Sequence, residues 1–91
     1  MISLEDCIAL CGLTEQEVMA IAEHEHVPEI AAAAMARYLL KKPGGAVAIR
    51  DMIRDDIREA ASRGDRDRAS ELLTVLRHFL ETHPEAHVRS Q

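Results

Sequence analysis

Apolar positions along this chain recur at helical spacing, and a few Gly and Pro clusters interrupt them. The cleanest run is Ala69, Leu72, Leu73, Leu76, Phe79 and Leu80, the i, i+3, i+4, i+7 pattern of a helix with one apolar face. Asp65 stands where that helix needs an N-cap, Gly64 where the preceding one needs a left-handed terminus, and Pro84 closes the run. Upstream, Ala46, Ile49, Ile53, Ile57 and Ala60 mark the stripe of a helix over residues 46–63. Joined through Gly64 and Asp65, these two predicted helices should form an antiparallel hairpin.

The first half of the chain carries the same kind of punctuation. Ser3 to Asp6 resembles a capping box that opens a short helix ending near Cys11, with Gly12 as its left-handed terminus. Thr14 and Glu17 form a full capping box, with Leu13 placed to staple onto Val18, and Val18, Ile21 and Ala22 share one face. That helix fades near Glu25. Pro28 opens the next, whose adjoining rows Ile30, Ala34, Tyr38 and Ala31, Met35, Leu39 predict a wide buried face approached closely through Ala31 and Ala34. Lys41 and Lys42 suit its negative end, and Pro43, Gly44 and Gly45 stop it. The reading is all-α: a compact bundle of about five helices, one domain over residues 1–84, and a frayed tail over residues 85–91.

Composition sharpens this picture. In 91 residues the only aromatic side chains are Tyr38 and Phe79, so aliphatic residues and many alanines must fill the core. A chain of this length buries only about 60–65% of its unfolded surface, which makes that core thin. The longest apolar run, residues 30–36, is far short of the ~20 residues that span a bilayer. Glu5 and Asp6 stand where a secretory signal would carry positive charge. Cys7 and Cys11, one helical turn apart, read as reduced core thiols of a cytoplasmic protein.

The net charge of −5 conceals an asymmetry. Residues 1–36 carry Glu5, Asp6, Glu15, Glu17, Glu23, Glu25 and Glu29 without a single Lys or Arg, and all the basic residues follow. The acidic third repels nucleic acid and anionic membrane and would attract a basic protein surface. His24 and His26 lie within it and gain positive charge below neutral pH, which would let docking respond to pH.

Candidate chemistry is sparse. His24 and His26 are two apart, about 200° around a helix, and cannot share one ion. Pro84 spoils the i, i+4 relation of His83 and His87. No metal or other cofactor is expected. Arg50, Arg54 and Arg58 form a stripe that Arg63, Arg66 and Arg68 extend, but Asp51, Asp55, Asp56 and Glu59 are interleaved and neutralise it. Pro43, Gly44 and Gly45 lack the Lys and Ser or Thr of a phosphate loop, and no nucleophile, base and acid arrangement is recognisable, so the chain is not expected to be an enzyme.

Residues 14–40 resemble a helix-turn-helix: a capped helix with Ala22 in its interior, a short turn, then Val27 leading a second helix. The resemblance implies a DNA-binding regulator. His26 departs from it, standing where the motif usually has Gly, and so does the second helix, which offers Glu29 and alanines to the groove. In such a regulator, DNA contacts would have to come from outside residues 14–36.

The expectation is therefore a small non-catalytic interaction module that does not bind nucleic acid or membrane. It should pair as a homodimer through the last two helices, at Ile49, Met52, Ile53, Ile57, Leu72, Val75 and Leu76, because these present more apolar surface than the first helices can cover.

Overall fold

The computed structural model describes Asp6 and residues 12–87. The helix expected before Gly12, and with it Cys7 and Cys11, lies outside the described residues. The described chain is all-α: α1 (Glu15–Glu25), α2 (Glu29–Leu40), α3 (Gly45–Ser62), α4 (Arg66–Thr82) and a closing 3-10 turn (Pro84–His87). Its radius of gyration, 12.7 Å, is close to the ~12 Å of a compact domain of this length. Among the described residues no helix is long and apolar enough to cross a membrane.

Local signals set the helix ends. At the start of α1 the Thr14 hydroxyl accepts the Glu17 N–H at 3.2 Å, and the Glu17 carboxylate accepts the Thr14 N–H at 2.9 Å. This reciprocal pair satisfies two donors that the first turn leaves free. α1 ends at His26, in the left-handed region (φ 57°, ψ 46°), where the N–H groups of His26 and Val27 both reach the Ala22 carbonyl. His26 is the only non-glycine among the described residues with positive φ, a conformation that costs an L-residue about 1 kcal/mol. Pro28 then sets the entry to α2, its carbonyl accepting from Ala32. At α4 the Asp65 carboxylate caps the Arg68 N–H at 3.1 Å.

The core is assembled from Val18 and Ile21 of α1, Ile49 and Ile53 of α3, and Leu72 and Phe79 of α4, with Ala20, Ala22, Ala32, Ala33, Ala36 and Ala46 between them. α3 and α4, joined through residues 63–65, pack on each other more extensively than any other pair of helices.

α2 is turned differently from the expected orientation. Its buried residues are Ala32, Ala33 and Ala36, while Ala31 and Ala34 are exposed and Ile30 and Tyr38 are 50% and 60% exposed. Inward alanines let the helix backbone come close to its neighbours, where a Tyr ring would hold it away. Outside, the Tyr38 hydroxyl accepts a hydrogen bond from the Lys42 ammonium at 3.0 Å, and the same ammonium lies 4.7 Å from the ring centroid. The join to α3 is as close: a Cβ at Gly45 would collide with the backbone carbonyl of Leu39. Leu73, expected on the apolar stripe of α4, is also exposed, at 49%.

The C-terminal end departs from the expected frayed tail at residues 85–87. His83 leaves the helix and stacks on Phe79, ring centroids 4.6 Å apart. The following 3-10 turn buries Ala86 completely, and the Ala86 carbonyl accepts a 2.8 Å hydrogen bond from the buried Arg50 guanidinium. Asp51 accepts from the same guanidinium at 2.9 Å and 3.1 Å.

Three substitutions test this packing. Gly45→Ala should destabilise the protein by at least about 2 kcal/mol, because the obstacle is backbone and cannot rotate away. Ala36→Leu should cost about 1–3 kcal/mol by overpacking, whereas Ala31→Leu, on the exposed side, should leave the thermal midpoint nearly unchanged. Thermal unfolding followed by circular dichroism measures all three, and equal effects at positions 31 and 36 would contradict the observed orientation of α2.

Candidate functional site

Polar pairs hold α1 against the α3–α4 layer, and two depressions lie beside it. Glu17 is the first of these pairs. Its side chain is buried because its position flanks Val18 and Ile21, and its second carboxylate oxygen lies 3.0 Å from the His78 imidazole of α4. Nearly two turns further along α1, Glu23 pairs with Arg68 of α4, which also donates to Glu71 at 3.2 Å. At the end of α1, His24 is hydrogen-bonded to Glu25 at 2.8 Å and lies 3.5 Å from Asp55 of α3.

The smaller depression, about 330 Å³, is mostly polar: acidic residues and His24 and His26 line it together with Arg63, Arg68 and Leu72, the acids being Glu23, Asp55, Asp56 and Glu59. Burial raises Asp56 above the ordinary carboxylate value of 3.8, opposed by His24 and Arg68 and reinforced by Glu23 and Glu59. One Asp56 oxygen is buried without a hydrogen-bond partner. Burial works to lower His24, but the Glu25 hydrogen bond, the charges of Asp56 and Glu25 and the contact with Asp55 outweigh it, so the imidazole rises above 6.5. The cleft can therefore hold a proton near neutrality. None of its described lining residues is a serine, threonine or cysteine. Among the described residues no three His, Cys, Asp or Glu side chains converge as metal ligands.

The larger depression is a groove of about 570 Å³ between α1 and α4. Met19, Leu72 and Val75 give it an apolar lining, Glu23, Arg68 and Glu71 a charged end, and Thr14, Gln16, Thr74 and His78 a polar one. Met19 is 43% exposed.

The expected interface residues separate into two groups. Ile49, Ile53 and Leu72 are buried in the chain's own core, whereas Met52, Ile57, Val75 and Leu76 are half-buried against it. Of all these, Leu72 and Val75 line the groove. The arginine stripe is distributed in a similar way. Arg50 is internal, and Arg58, Arg63 and Arg68 are paired with Asp55, Glu59 and Glu71. Sequence reasoning misses Met19, His78 and the burial of Glu17. The capping box marks Glu17 as fixed, and its place beside Val18 and Ile21 is the one signal that the side chain turns inward.

The histidine pairs make stability depend on pH. The hydrogen bond and charge of Glu17 raise His78 above 6.5, partial burial opposes this, and Glu81 adds to it. For a histidine raised in the folded state, the contribution is complete below about 6.5 and is lost as pH rises through the folded value. His24 has the same sign. The thermal midpoint should therefore increase from about pH 8 to about pH 6, and the joint substitution His24→Gln with His78→Gln should flatten the profile. Midpoints rising with pH over that window in the unmodified protein would contradict the assignment.

No family model, curated protein or solved structure matches this chain.

Proposed function

We propose that this chain is a small non-catalytic protein-interaction module that pairs with a second copy of itself. The observation carrying this reading is the open groove between α1 and α4, lined by Met19, Leu72 and Val75, on a molecule that also exposes Ile30, Tyr38 and Leu73. A thin, aromatic-poor core leaves these apolar groups at the surface, and association is the means by which small domains cover such groups. In this reading α3 and α4 act as one antiparallel hairpin, and its α4 side forms one wall of the groove, where Leu72 and Val75 lie. The acidic residues of α1 give the surface a preference for basic protein partners, and the module works in the cytoplasm without a cofactor.

A second reading, a divergent helix-turn-helix regulator, draws support from the left-handed turn at His26 between α1 and α2. It ranks behind because the exposed side of α2 carries Ile30, Ala31 and Ala34, and basic side chains begin only at Arg37. Reading base edges and phosphates needs donors that those residues lack.

Sedimentation equilibrium tests the first reading, and retention of duplex DNA separates it from the second. The protein should sediment as a dimer at tens of micromolar, and it should show no appreciable retention of duplex DNA at about 0.15 M salt. A monomer throughout that range would refute self-association. DNA binding that falls steeply with added salt would favour the regulator.

A further inference from the structure

The occupant of the α1–α4 groove is carried by the chain itself: the geometry points to the exposed face of α2 in a second copy. This inference rests on the self-association reading above and names the surfaces through which it operates.

The exposed row on α2 is Ile30, Ala34 and Tyr38, spaced i, i+4, i+8. Such a row spans about 12 Å along a helix, at 1.5 Å per residue. The groove walls match that length. On α4 they extend from Arg68 to His78, on the order of 15 Å by the same rise, and the α1 wall contributes Met19. A helix that lays an apolar row into a groove between two others is a common mode of recognition, and an aromatic side chain is its usual anchor. Tyr38 suits that role, since its ring is exposed while its hydroxyl is already satisfied by Lys42.

Charge sets the direction. At one end of the groove Glu23 and Glu71 share the single guanidinium of Arg68, which leaves an excess of acid there. The exposed side of α2 is basic at its C-terminal end, with Arg37 and Lys41 flanking Tyr38, and apolar at Ile30. The complementary register therefore places Tyr38, Arg37 and Lys41 at the Glu23–Glu71 end and Ile30 towards Thr14 and His78. Every copy carries both the row and the groove. Two copies related by a two-fold axis can exchange the contact reciprocally, which covers Met19, Ile30 and Tyr38 in one closed assembly.

Two single substitutions and their mixture test this. Tyr38→Glu disables the row and brings negative charge to the acidic end, while leaving the groove intact. Met19→Lys disables the groove and leaves the row intact. Both positions are exposed, so helix content measured by circular dichroism should be retained, and Tyr38→Ser and Met19→Ser serve as milder counterparts if it is not. Each variant alone should weaken association on the order of tenfold or more by sedimentation equilibrium. An equimolar mixture of Tyr38→Glu and Met19→Lys should regain association, because one intact row meets one intact groove. A monomeric unmodified protein would overturn this inference together with the self-association reading. A dimeric protein whose variants stay dimeric, or whose variants dissociate and fail to recombine on mixing, would overturn this inference alone.

Discussion

Close approach of helix backbones is the constraint on which this structure depends. Phe79 is the only aromatic residue in the core, and a core filled with small side chains is dense only where helices come near one another. Ala32, Ala33 and Ala36 supply that approach on α2, and Gly45 supplies it where α3 begins against Leu39. The outward placement of Ile30 and Tyr38 follows from the same constraint. A helix has one inner face, and in α2 the small residues occupy it.

An alanine seam offers shallow ridges and grooves, so it interlocks less firmly than one of branched side chains. The polar pairs instead fix α1, on which α2 packs, against α3 and α4. Glu17 connects the cap of α1 to His78, and Glu23 and His24 reach Arg68 and Asp55. The buried carboxylate of Glu17 is tolerated because both of its oxygens are engaged. Asp56 is the exception, with one buried oxygen unpartnered in the polar cleft.

Features that depend on neighbouring residues were legible in the sequence. The capping box at Thr14 and Glu17, the Asp65 cap and the left-handed Gly64 are each written within a few positions, and the structure has helix ends there. The inward face of α2 was not legible, because an alanine run is apolar all round and the larger Ile30 and Tyr38 dominate any judgement of its periodicity. Pairings between distant positions were equally hidden. Glu17 and His78 are 61 residues apart, and Arg50 lies 36 residues from the carbonyl it meets. Of the candidate site, Leu72 and Val75 could be read from the stripe of α4. Met19 could not, since an isolated Met on a helix flank is indistinguishable from an ordinary surface residue.

The hydrogen bond from Arg50 to the Ala86 carbonyl changes where this domain can safely be cut. Removing the chain after Pro84, where the last helical pattern ends, would deprive an interior guanidinium of an acceptor and uncover the Phe79 region that the 3-10 turn helps to seal. A charge that is 5% exposed would then sit beside an opened cavity with one of its acceptors gone. Pro84 is therefore too early a place to truncate the chain or to fuse a tag. A version cut there would keep every α-helix named above in its sequence and still leave the core unsealed at this end.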